Sequence, residues 1–473
     1  MKIYTTAKNK KIFSQILICI FWIGLWQCAA MLIDKPLLLP SPIETLQALI
    51  RLAGKRDFYL NIGFTFMRCI ISMALAFVLG MIFSWCAYKN KLIRGFLNFP
   101  VGFFKAVPVM AIIIYVILLA PADSVAVIVC FFMCFPVVYT NILEGFDSMD
   151  NQLLELAKIY EFTGMNRFRY IYIPGVMVQI KAAIKLIAGL SWKAVVAAEV
   201  LSIPKYSLGY QMMNAKYYLE TDVLFAYIFV IVTFSLAVEK AIKTVINRWD
   251  FRAYDYSKIV KGLKSNPGCE SKVPCEVNIR HLSKDFDGKD VLDDVNIQFK
   301  KGEVTAIVGP SGQGKTTLVR IIAGLEKQTS GMVEKGPMRT SYLFQEDRLI
   351  PWLNVFDNIA FGIVSMEDDI EKKVVSIADM LEISDVLWKL PGELSGGMRH
   401  RVALGRAFIC ESSLLILDEP FRGLDEDLKG RIINRLWKRV TCDKIVLLIT
   451  HNRNDADRLS DRVIEYEDFR AQN

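Results

Sequence analysis

Long apolar runs dominate the first 250 residues of the chain, and short polar loops separate them. A helix needs about 20 consecutive apolar residues to cross the hydrocarbon core of a bilayer, and each run is close to that length. The pattern therefore predicts six membrane-spanning helices, at about 12–33, 66–88, 102–120, 123–143, 177–202 and 222–246. Only Pro121, Ala122 and Asp123 separate the third run from the fourth, which predicts a tight helical hairpin.

The pattern changes after a polar segment at residues 251–276, which contains an Asn-Pro-Gly turn. Beyond it, short runs rich in Val, Ile and Leu, at 304–308, 414–417 and 445–449, alternate with helical stretches. This alternation indicates an α/β domain with a mainly parallel central sheet. The sequence thus predicts an all-α membrane domain at 1–250, a linker at 251–276 and an α/β domain at 277–473.

The composition, 53% hydrophobic and 22% charged, fits this division. Residues 1–250 hold 24 Lys and Arg against 14 Asp and Glu, and the rest of the chain holds 33 against 35. Because the basic residues lie in the apolar half, they fit cytoplasmic loops of a membrane protein better than a nucleic-acid partner. We expect a multi-pass protein of the cell (inner or plasma) membrane, surrounded by lipid, with its N-terminus and α/β domain in the cytoplasm.

Two cysteines of the linker, Cys269 and Cys275, lie six residues apart. Such a pair can bind a metal or form a redox couple, but no His or further Cys lies nearby at ligand spacing. We expect two reduced cytosolic thiols.

A glycine-rich segment follows the first strand of the α/β domain. The run VTAIVG continues into GPSGQGKTT, which matches the phosphate-loop pattern G-x-x-x-x-G-K-[ST]. Glycines let backbone N–H groups turn toward a phosphate, the lysine neutralises the β- and γ-phosphates, and the threonine hydroxyl ligates Mg²⁺. The strand before it and the helix after it argue against a glycine-rich turn that binds nothing. We predict a site for ATP and Mg²⁺ whose loop residues are Gly309, Pro310, Ser311, Gly312, Gln313, Gly314, Lys315, Thr316 and Thr317.

Two carboxylates end the apolar run LLILDEP, later in the chain. Asp418, at the predicted strand end, is placed to hold Mg²⁺ directly or through water. Glu419 would then lie beside the γ-phosphate and polarise an attacking water. An apolar strand that ends in Asp-Glu is common by itself, but after a phosphate loop it indicates hydrolysis of ATP.

With LSGGMRHR, which lies between the two motifs, the chain resembles the ATP-binding cassette (ABC) transporter family. The resemblance implies that Ser395, Gly396 and Gly397 contact the γ-phosphate held by a second subunit. A Ser-Gly-Gly at a helix start is in any case an anion-binding N-terminus, or simply a helix cap. The implied fold is an all-α six-helix transmembrane permease domain of the binding-protein-dependent importer type, followed by an α/β P-loop ATPase domain.

Further positions match the family. Gln345, in SYLFQED, resembles the glutamine that joins the Mg²⁺ site to the membrane domain. His451, in LLLITHN, resembles the switch histidine that contacts the γ-phosphate. The resemblance implies that both act with Glu419 in catalysis. Phe286 stands where the family places an aromatic ring against adenine, although an ordinary buried Phe fits the pattern nearly as well. His400 departs from the family, which often has glutamine there.

The loop LLELAKIYEFTGMNRFRYIYIPGV, at about 150–175, resembles the coupling segment of ABC importer permeases. Glu155, Ala157 and Pro174 match that motif. The family's glycine six residues after the glutamate is Glu161 here, and Gly164 lies three residues further, so the local turn departs from the pattern. The segment can form a short helix that docks into a groove, or it is merely a solvated amphipathic loop.

Three more segments resemble the taurine, nitrate and sulfonate importer subgroup: LLLPSPIETL, WKAVVAAEVL and FQEDRLIPWLNVFDNIAFG. This resemblance implies uptake of a small anion, delivered by a separate extracytoplasmic solute-binding protein. Importers of pyrimidine-type vitamin precursors share the pattern and are the alternative. One phosphate loop and one LSGGMRHR per chain imply a homodimer with two composite ATP sites, or a heterodimer with a related chain.

Two rival classes have to be weighed against an importer. Fused membrane and cassette domains are the usual arrangement of ABC exporters, but exporter helices extend far into the cytosol and no predicted loop here is long enough. The second rival is a P-loop enzyme or sensor that the membrane helices merely anchor. The coupling segment and LSGGMRHR both argue against it.

The run at 177–202 carries charged residues that a lipid-facing helix tolerates poorly: Lys181, Lys185, Lys193 and Glu199. Lys181 and Lys185 lie near one end and can extend to the membrane surface. Lys193 lies near the centre, so we expect it to face the interior of the helix bundle. There it would pair with Glu199 or form part of a path for an anionic solute, and both residues are candidates for that path.

Overall fold

The structure is a computed structural model that describes residues 2–162, 164–248, 276–310, 312–363 and 369–465. The chain forms two compact units: Met1–Ser148 with Gly175–Trp249, and Met149–Pro174 with Asp250–Asn473. The segment at 149–174 therefore packs with the C-terminal part, although membrane-domain helices flank it in the sequence. Ser311 and the linker with Cys269 and Cys275 lie outside the described residues.

Helices make up the first unit throughout its described part. In chain order up to residue 248 the helices are α1 Lys2–Ile33, α2 Pro42–Ala53, α3 Arg56–Lys89, α4 Lys91–Ala106, α5 Val109–Leu119, α6 Ala122–Asp147, α7 Asn151–Ile159, α8 Gly164–Arg167, α9 Ile173–Gly175, α10 Met177–Ser202, α11 Leu208–Tyr217 and α12 Thr221–Arg248. A π-helical turn at Phe168–Tyr172 joins α8 to α9. Helices α7 and α8 belong to the second unit.

The predicted membrane helices are only partly confirmed. Within the described residues, α3, α6 and α12 are each long and apolar enough to cross a membrane, and two bent pairs bring the number to at most five. Helix α1 covers the first predicted run, but its described apolar part is the shorter stretch Ile20–Ile33. The chain is a multi-pass membrane protein, and many large apolar side chains of α3, α5 and α12 are exposed.

The third predicted helix, at 102–120, is wrong as a single element. Helices α4 and α5 meet there at a bend of 107°. Pro108 lacks the N–H that a helix interior needs, and its ring holds the preceding Val107 in an extended conformation, with ψ of 130°. The predicted hairpin between α5 and α6 is confirmed, because only Ala120 and Pro121 separate the two helices.

Small and polar side chains form the buried face of α3, and they recur at helical spacing. They include Asn61, Thr65, Ser72, Ala76, Gly80, Ser84 and Ala87. At Gly80 the backbones of α3 and α6 approach so closely that a β-carbon would lie 2.6 Å from Cγ1 of Val138. Small residues permit such close packing between membrane helices, where burial of apolar area supplies little driving force.

The second unit contains two sheets. Its strands are β1 Glu276–Phe286, β2 Lys289–Lys300, β3 Val304–Val308, β4 Ser330–Lys335, β5 Thr340–Leu343, β6 Leu414–Asp418, β7 Ile445–Thr450 and β8 Arg462–Glu465. Strands β2, β1 and β4 form an antiparallel sheet, and the others form a parallel sheet in the order β5-β6-β7-β3-β8. This arrangement confirms the predicted α/β domain with a parallel central sheet.

Helices surround the parallel sheet of the second unit. They are α13 Lys315–Ile322, α14 Val355–Ala360, α15 Ile370–Met380, α16 Gly396–Ile409, α17 Glu426–Thr441 and α18 Arg453–Leu459. Every residue of β6 and β7 is buried, which explains why both strands read as continuous apolar runs. The side chains of α7, including Leu153 and Leu156, belong to the same hydrophobic core as these strands.

Candidate active site

Three adjacent strands, β6, β7 and β3, end at the same edge of the parallel sheet. Asp418 is paired with Ile449, and Val308 with Thr450, so the loops that follow these strands leave side by side. Ligands of open α/β sheets bind at the carboxyl ends of the strands. The phosphate loop, the two carboxylates and His451 are therefore brought to one edge.

The phosphate loop turns into α13 through glycines with left-handed backbone angles. Gly312 has φ of 84°, and Gly314, which caps α13, has φ of 94°. A side chain at either position would strain the backbone, whereas glycine adopts this conformation freely. The loop thus presents its N–H groups at the start of a helix, where the helix dipole favours an anion.

Lys315 is the buried cation of this loop. Its Nζ donates hydrogen bonds to the carbonyl oxygens of Gly309, at 2.8 Å, and Pro310, at 2.6 Å. Burial lowers its pKa, and the charges of Asp418 and Glu419 partly oppose that shift. The ammonium group is therefore held over the loop by carbonyl dipoles that a phosphate group could replace.

Thr316 and Asp418 offer a hard, all-oxygen ligand set. The Thr316 hydroxyl donates to Oδ2 of Asp418 over 3.3 Å, and Asp418 is 3% exposed. Burial raises the pKa of Asp418 to about 6, and the neighbouring Glu419 adds to the shift. Mg²⁺ prefers one or two protein oxygens together with phosphate and water, so these residues fit the metal that the sequence predicts. When bound, that ion would neutralise charge on the phosphates.

Glu419 directly follows β6 in a left-handed conformation, with φ of 52°. Its N–H donates to the carbonyl of Ile449 over 2.9 Å, which fixes the backbone against β7. The carboxylate Oε1 lies 3.2 Å from Nδ1 of His451, whose side chain is 70% exposed. Strained backbone that the surrounding structure holds in place is common at functional sites, and here it points a carboxylate and an imidazole at one another.

The remaining predicted site residues lie at separate places in the second unit. Gln345 is exposed just after β5, and its neighbour Glu346 is close enough to Asp418 to raise that pKa. Phe286 is 44% exposed at the end of β1, with Nζ of Lys284 4.4 Å from the ring centroid. Gln313 and Thr317 are half-buried, and Pro310 is exposed.

Ser395 caps α16, because its hydroxyl accepts a hydrogen bond from the N–H of Met398. Ser395 and Gly396 are exposed and Gly397 is half-buried. The helix start is therefore open to a partner, as an anion-binding N-terminus has to be.

The coupling segment has one carboxylate bound by two arginines. Glu155 of α7 accepts hydrogen bonds from Arg320 at 2.6 and 3.1 Å and from Arg348 at 2.7 Å. Burial alone would raise the pKa of Glu155, but the hydrogen bonds from the arginines outweigh it and lower the pKa. Arg320 lies on α13, directly behind the phosphate loop, and Arg348 lies three residues after Gln345. The segment is therefore docked, and the alternative of a merely solvated loop is excluded.

The turn after α7 explains the departure at Glu161. Phe162 donates its N–H to the carbonyl of Ala157 over 2.8 Å, which closes the helix while Glu161 adopts a left-handed conformation with φ of 57°. Glycine is the residue that favours this position, so the family pattern is kept in backbone shape although not in residue type. Beyond the turn, the ring of Phe162 stacks on Phe361 at 4.3 Å. Ala157 and Pro174 are buried.

Comparisons with known proteins match both parts of the chain. The family described as "Binding-protein-dependent transport system inner membrane component" matches residues 56–249, and the family described as "ABC transporter" matches residues 292–422. The aliphatic sulfonates import ATP-binding protein SsuB of Corynebacterium glutamicum is 40% identical over 196 residues, which cover 40% of this chain and 79% of that protein. The chain belongs to the ABC transporter family.

Two more ATP-binding proteins are similar to this ABC transporter chain. SsuB 1 of Paraburkholderia xenovorans, an aliphatic sulfonates import protein, is 39% identical over 41% of this chain and 58% of its own length. CysA 2 of Rhizobium meliloti, a sulfate/thiosulfate import protein, is 35% identical over 40% of this chain and 56% of its own length. The chain spans a little over half the length of these two relatives. It is a permease domain fused to an ATP-binding cassette.

In the permease domain of this ABC transporter, the structure corrects the expectation for Lys193. Lys193 is exposed on α10, whereas Trp192, Val195 and Glu199 are buried. Residues six apart on a helix point about 120° away from each other, because each residue adds 100°. Lys193 therefore neither faces the interior of the described bundle nor pairs with Glu199.

The buried Glu199 has a different partner, Arg68 of α3, whose Nη1 donates over 2.8 Å. The same nitrogen reaches the carbonyl of Tyr206, and Nη2 reaches Asp123 at 3.2 Å. Thr65 donates to the Glu199 carboxylate and accepts from the first N–H of α11, at Leu208. Sequence reasoning missed Arg68, although a lone arginine inside the apolar run 66–88 was a visible signal.

Proposed function

We propose that the chain uses ATP hydrolysis to drive uptake of a small solute across the membrane in which it lies. The observation that carries this proposal is the contact between Glu155 of the coupling segment and the two arginines of the cassette, Arg320 and Arg348. One arginine follows the phosphate loop and the other follows Gln345. A structural change at the ATP site would therefore be transmitted to the coupling segment, which lies between permease helices in the sequence.

For catalysis, we propose that Glu419 orients or polarises the attacking water, that His451 contacts the γ-phosphate, and that Gln345 acts with them from the Mg²⁺ site. Lys315 stabilises phosphate charge, and Thr316, Gln345 and Asp418 hold Mg²⁺. Phe286 contacts adenine, and the loop residues 309–317 bind the phosphates of ATP. These roles draw support from the convergence of three strand ends and from the strained backbone of Glu419.

The active form, in this proposal, is a homodimer, with a heterodimer as the alternative. Ser395, Gly396 and Gly397 of one copy would complete the ATP site of the other. Their exposure at the start of α16 supports this assignment. Two composite sites would result, one for each phosphate loop.

Import, rather than export, is the proposed direction. The permease domain matches a family of binding-protein-dependent systems, and the similar ATP-binding proteins carry import names. A separate extracytoplasmic solute-binding protein would deliver the solute, with the N-terminus and cassette on the cytoplasmic side.

We propose an organosulfonate, taurine or nitrate-like anion as the solute. A pyrimidine-type precursor remains the second candidate, because the relatives above are ATP-binding proteins and do not themselves line a solute path.

Direction and solute can be tested together in vesicles that hold the purified chain. ATP is trapped inside, so that only molecules with an internal cassette are active, and labelled taurine, alkanesulfonates, nitrate and aminopyrimidines are offered outside with the extracytoplasmic proteins of the source cell. An importer accumulates one of these solutes inside, and the Glu419→Gln variant does not. Efflux from preloaded vesicles toward external medium with ATP trapped inside would contradict import, and transport by Glu419→Gln would contradict coupling to hydrolysis.

A further inference from the structure

His400 is one of three histidines in the chain, and it is 5% exposed. It lies on α16, the helix that Ser395 caps, and none of the proposed catalytic roles uses it. A buried imidazole needs hydrogen-bond partners for both ring nitrogens.

Both ring nitrogens of His400 face acceptor oxygens. Nε2 lies 2.9 Å from the carbonyl oxygen of Pro420, and Nδ1 lies 3.0 Å from Oδ1 of Asp347. A carbonyl can only accept, so Nε2 carries a proton. Nε of Arg399 lies 3.9 Å from the other oxygen of Asp347. The ring of His400 therefore bridges a carbonyl oxygen and a carboxyl group that belong to two different loops.

The two partners of His400 adjoin the proposed catalytic groups. Pro420 directly follows Glu419, and Asp347 lies two residues after Gln345. We propose that His400 is a positioning residue, whose two ring nitrogens tie the loop of Gln345 to the loop of Glu419. This inference rests on the proposed ATP hydrolysis and names a residue that would transmit the state of the coupling segment to the catalytic carboxylate.

A continuous set of contacts leads from the coupling segment to this junction. Glu155 holds Arg348, which adjoins Asp347 in the chain. Arg406, fully buried on the same helix as His400, donates to the backbone carbonyls of Asp347 and Arg348 at 3.0 Å each. Charged groups around the junction include Glu155, Glu346, Asp347, Arg348, Arg399 and Arg406. A movement of α7 would pull this loop, and His400 would carry the displacement to Pro420 and Glu419.

A kinetic test uses the full chain in nanodiscs, with ATP as the probe. We expect His400→Leu to lower kcat about tenfold while KM for ATP changes less than about twofold, since misplacing a reacting group costs rate rather than binding. His400→Gln keeps an N–H donor for Pro420 and should recover most of the rate. His281→Asn is the matched control, because His281 is exposed on β1 and asparagine tolerates its left-handed backbone.

A double-mutant cycle then separates transmission from local damage. If His400 relays the coupling contact, Glu155→Gln changes kcat in the wild-type chain but not in the His400→Leu background. Independent, multiplying effects of the two substitutions would overturn the proposal. Equal losses in His400→Leu and His400→Gln would overturn the role of the donated hydrogen bond.

Nitrogen NMR on chains labelled only at histidine gives a readout that does not need activity. Three ring systems contribute, and His281→Asn and His400→Gln assign two of them. We expect the nitrogen signals of His400 to show a hydrogen bond at both Nε2 and Nδ1, and a ring that lacks either hydrogen bond would overturn the proposal. If the wild-type chain hydrolyses no ATP, the proposed function fails, and the NMR result still decides whether His400 bridges the two loops.

Discussion

Oε1 of Glu155 lies 2.6 Å from Nη2 of Arg320, five residues after the phosphate-loop lysine. The contact joins the coupling segment to the helix that begins at the proposed phosphate site. Arg348 binds Oε2 of the same carboxylate, which Arg320 also reaches at 3.1 Å, so Arg320 holds both oxygens and Arg348 holds one of them. Several measurable consequences depend on this carboxylate.

Removing the charge of Glu155 should uncouple transport from hydrolysis. Glu155→Gln loses the charge-assisted character of three hydrogen bonds, and a loss of about 1.4 kcal/mol in docking corresponds to a tenfold change in an equilibrium. We expect solute uptake in vesicles to fall about tenfold, and the kcat for ATP hydrolysis to fall by a smaller factor. Glu161→Gln, an exposed carboxylate on the same segment, is the matched control. Uptake that stays normal in Glu155→Gln would show that the contact does not couple.

The pH dependence of this docking follows from the lowered pKa of Glu155. A carboxyl whose folded pKa is depressed contributes stability above its unfolded pKa and loses that contribution as the pH falls through the folded value. Since the ordinary value is 4.5, docking should be constant from about pH 8 to 5.5 and weaken only in stronger acid.

Hydrogen exchange of residues 151–162, corrected for intrinsic rates, measures this docking. Protection lost between about pH 8 and 6 would mean that another titrating group controls the segment. The Glu155→Gln variant has no carboxyl group at this position, so the protection that remains at residues 151–162 should not fall as the pH is lowered through the pKa of Glu155.

Glu419 should be essential for turnover but not for nucleotide binding. Glu419→Gln keeps the size of the side chain and removes the general base, which typically costs about 10²-fold or more. The measurements are nucleotide affinity and steady-state hydrolysis by the full chain. Glu411→Gln, at the other end of the segment that contains β6, is the control carboxylate and should leave turnover unchanged. Wild-type turnover in Glu419→Gln would show that the assignment is wrong.

Replacing only one partner of the ion pair between Arg68 and Glu199 should lower the stability of the chain more than replacing both partners. Removing one partner of a buried pair leaves an uncompensated charge and typically costs about 3–5 kcal/mol. We expect Glu199→Gln and Arg68→Met each to lower the melting temperature of the detergent-solubilised chain more than the double variant does. A double variant with the sum of the two single losses would contradict a pair that acts as a unit.

Lys193 should affect transport without affecting stability. It is exposed on an apolar helix, and an intramembrane charge of this kind marks a protein or solute contact more often than a lipid contact. We expect Lys193→Met to melt like the wild type, to retain ATP hydrolysis and to lose uptake of an anionic solute. Normal uptake by Lys193→Met would remove Lys193 from the solute path.

Sequence reasoning worked where one local pattern determines one local structure. The strands at 304–308, 414–417 and 445–449 were predicted because buried parallel strands read as apolar runs. The helix at 177–202 was predicted with the bounds that the structure has. The break at Pro108 also had a local signal, since proline in an apolar run predicts a bend, but the length of the run concealed it.

Pairings between distant elements could not be predicted in the same way. Lys193 and Glu199 are near in sequence, yet helical geometry points them apart, and the partner of Glu199 comes from α3. The arginines that bind Glu155 lie far along the chain, in a different part of the sequence from the coupling motif. His400 was visible only as a departure from the family pattern, and its two partners required the folded structure.

Residues 149–174 belong to the compact unit of the cassette, and this determines how a mutated chain affects a cell that also makes intact chains. The part that receives mechanical work and the part that performs hydrolysis are made by one ribosome in one pass, so translation sets their ratio at one to one. An intact cassette that is made separately therefore cannot replace a mutated cassette, because the mutated cassette already packs against the coupling segment of its own chain. In a cell that expresses both mutated and intact chains, we expect each dimer that contains one mutated chain to be defective.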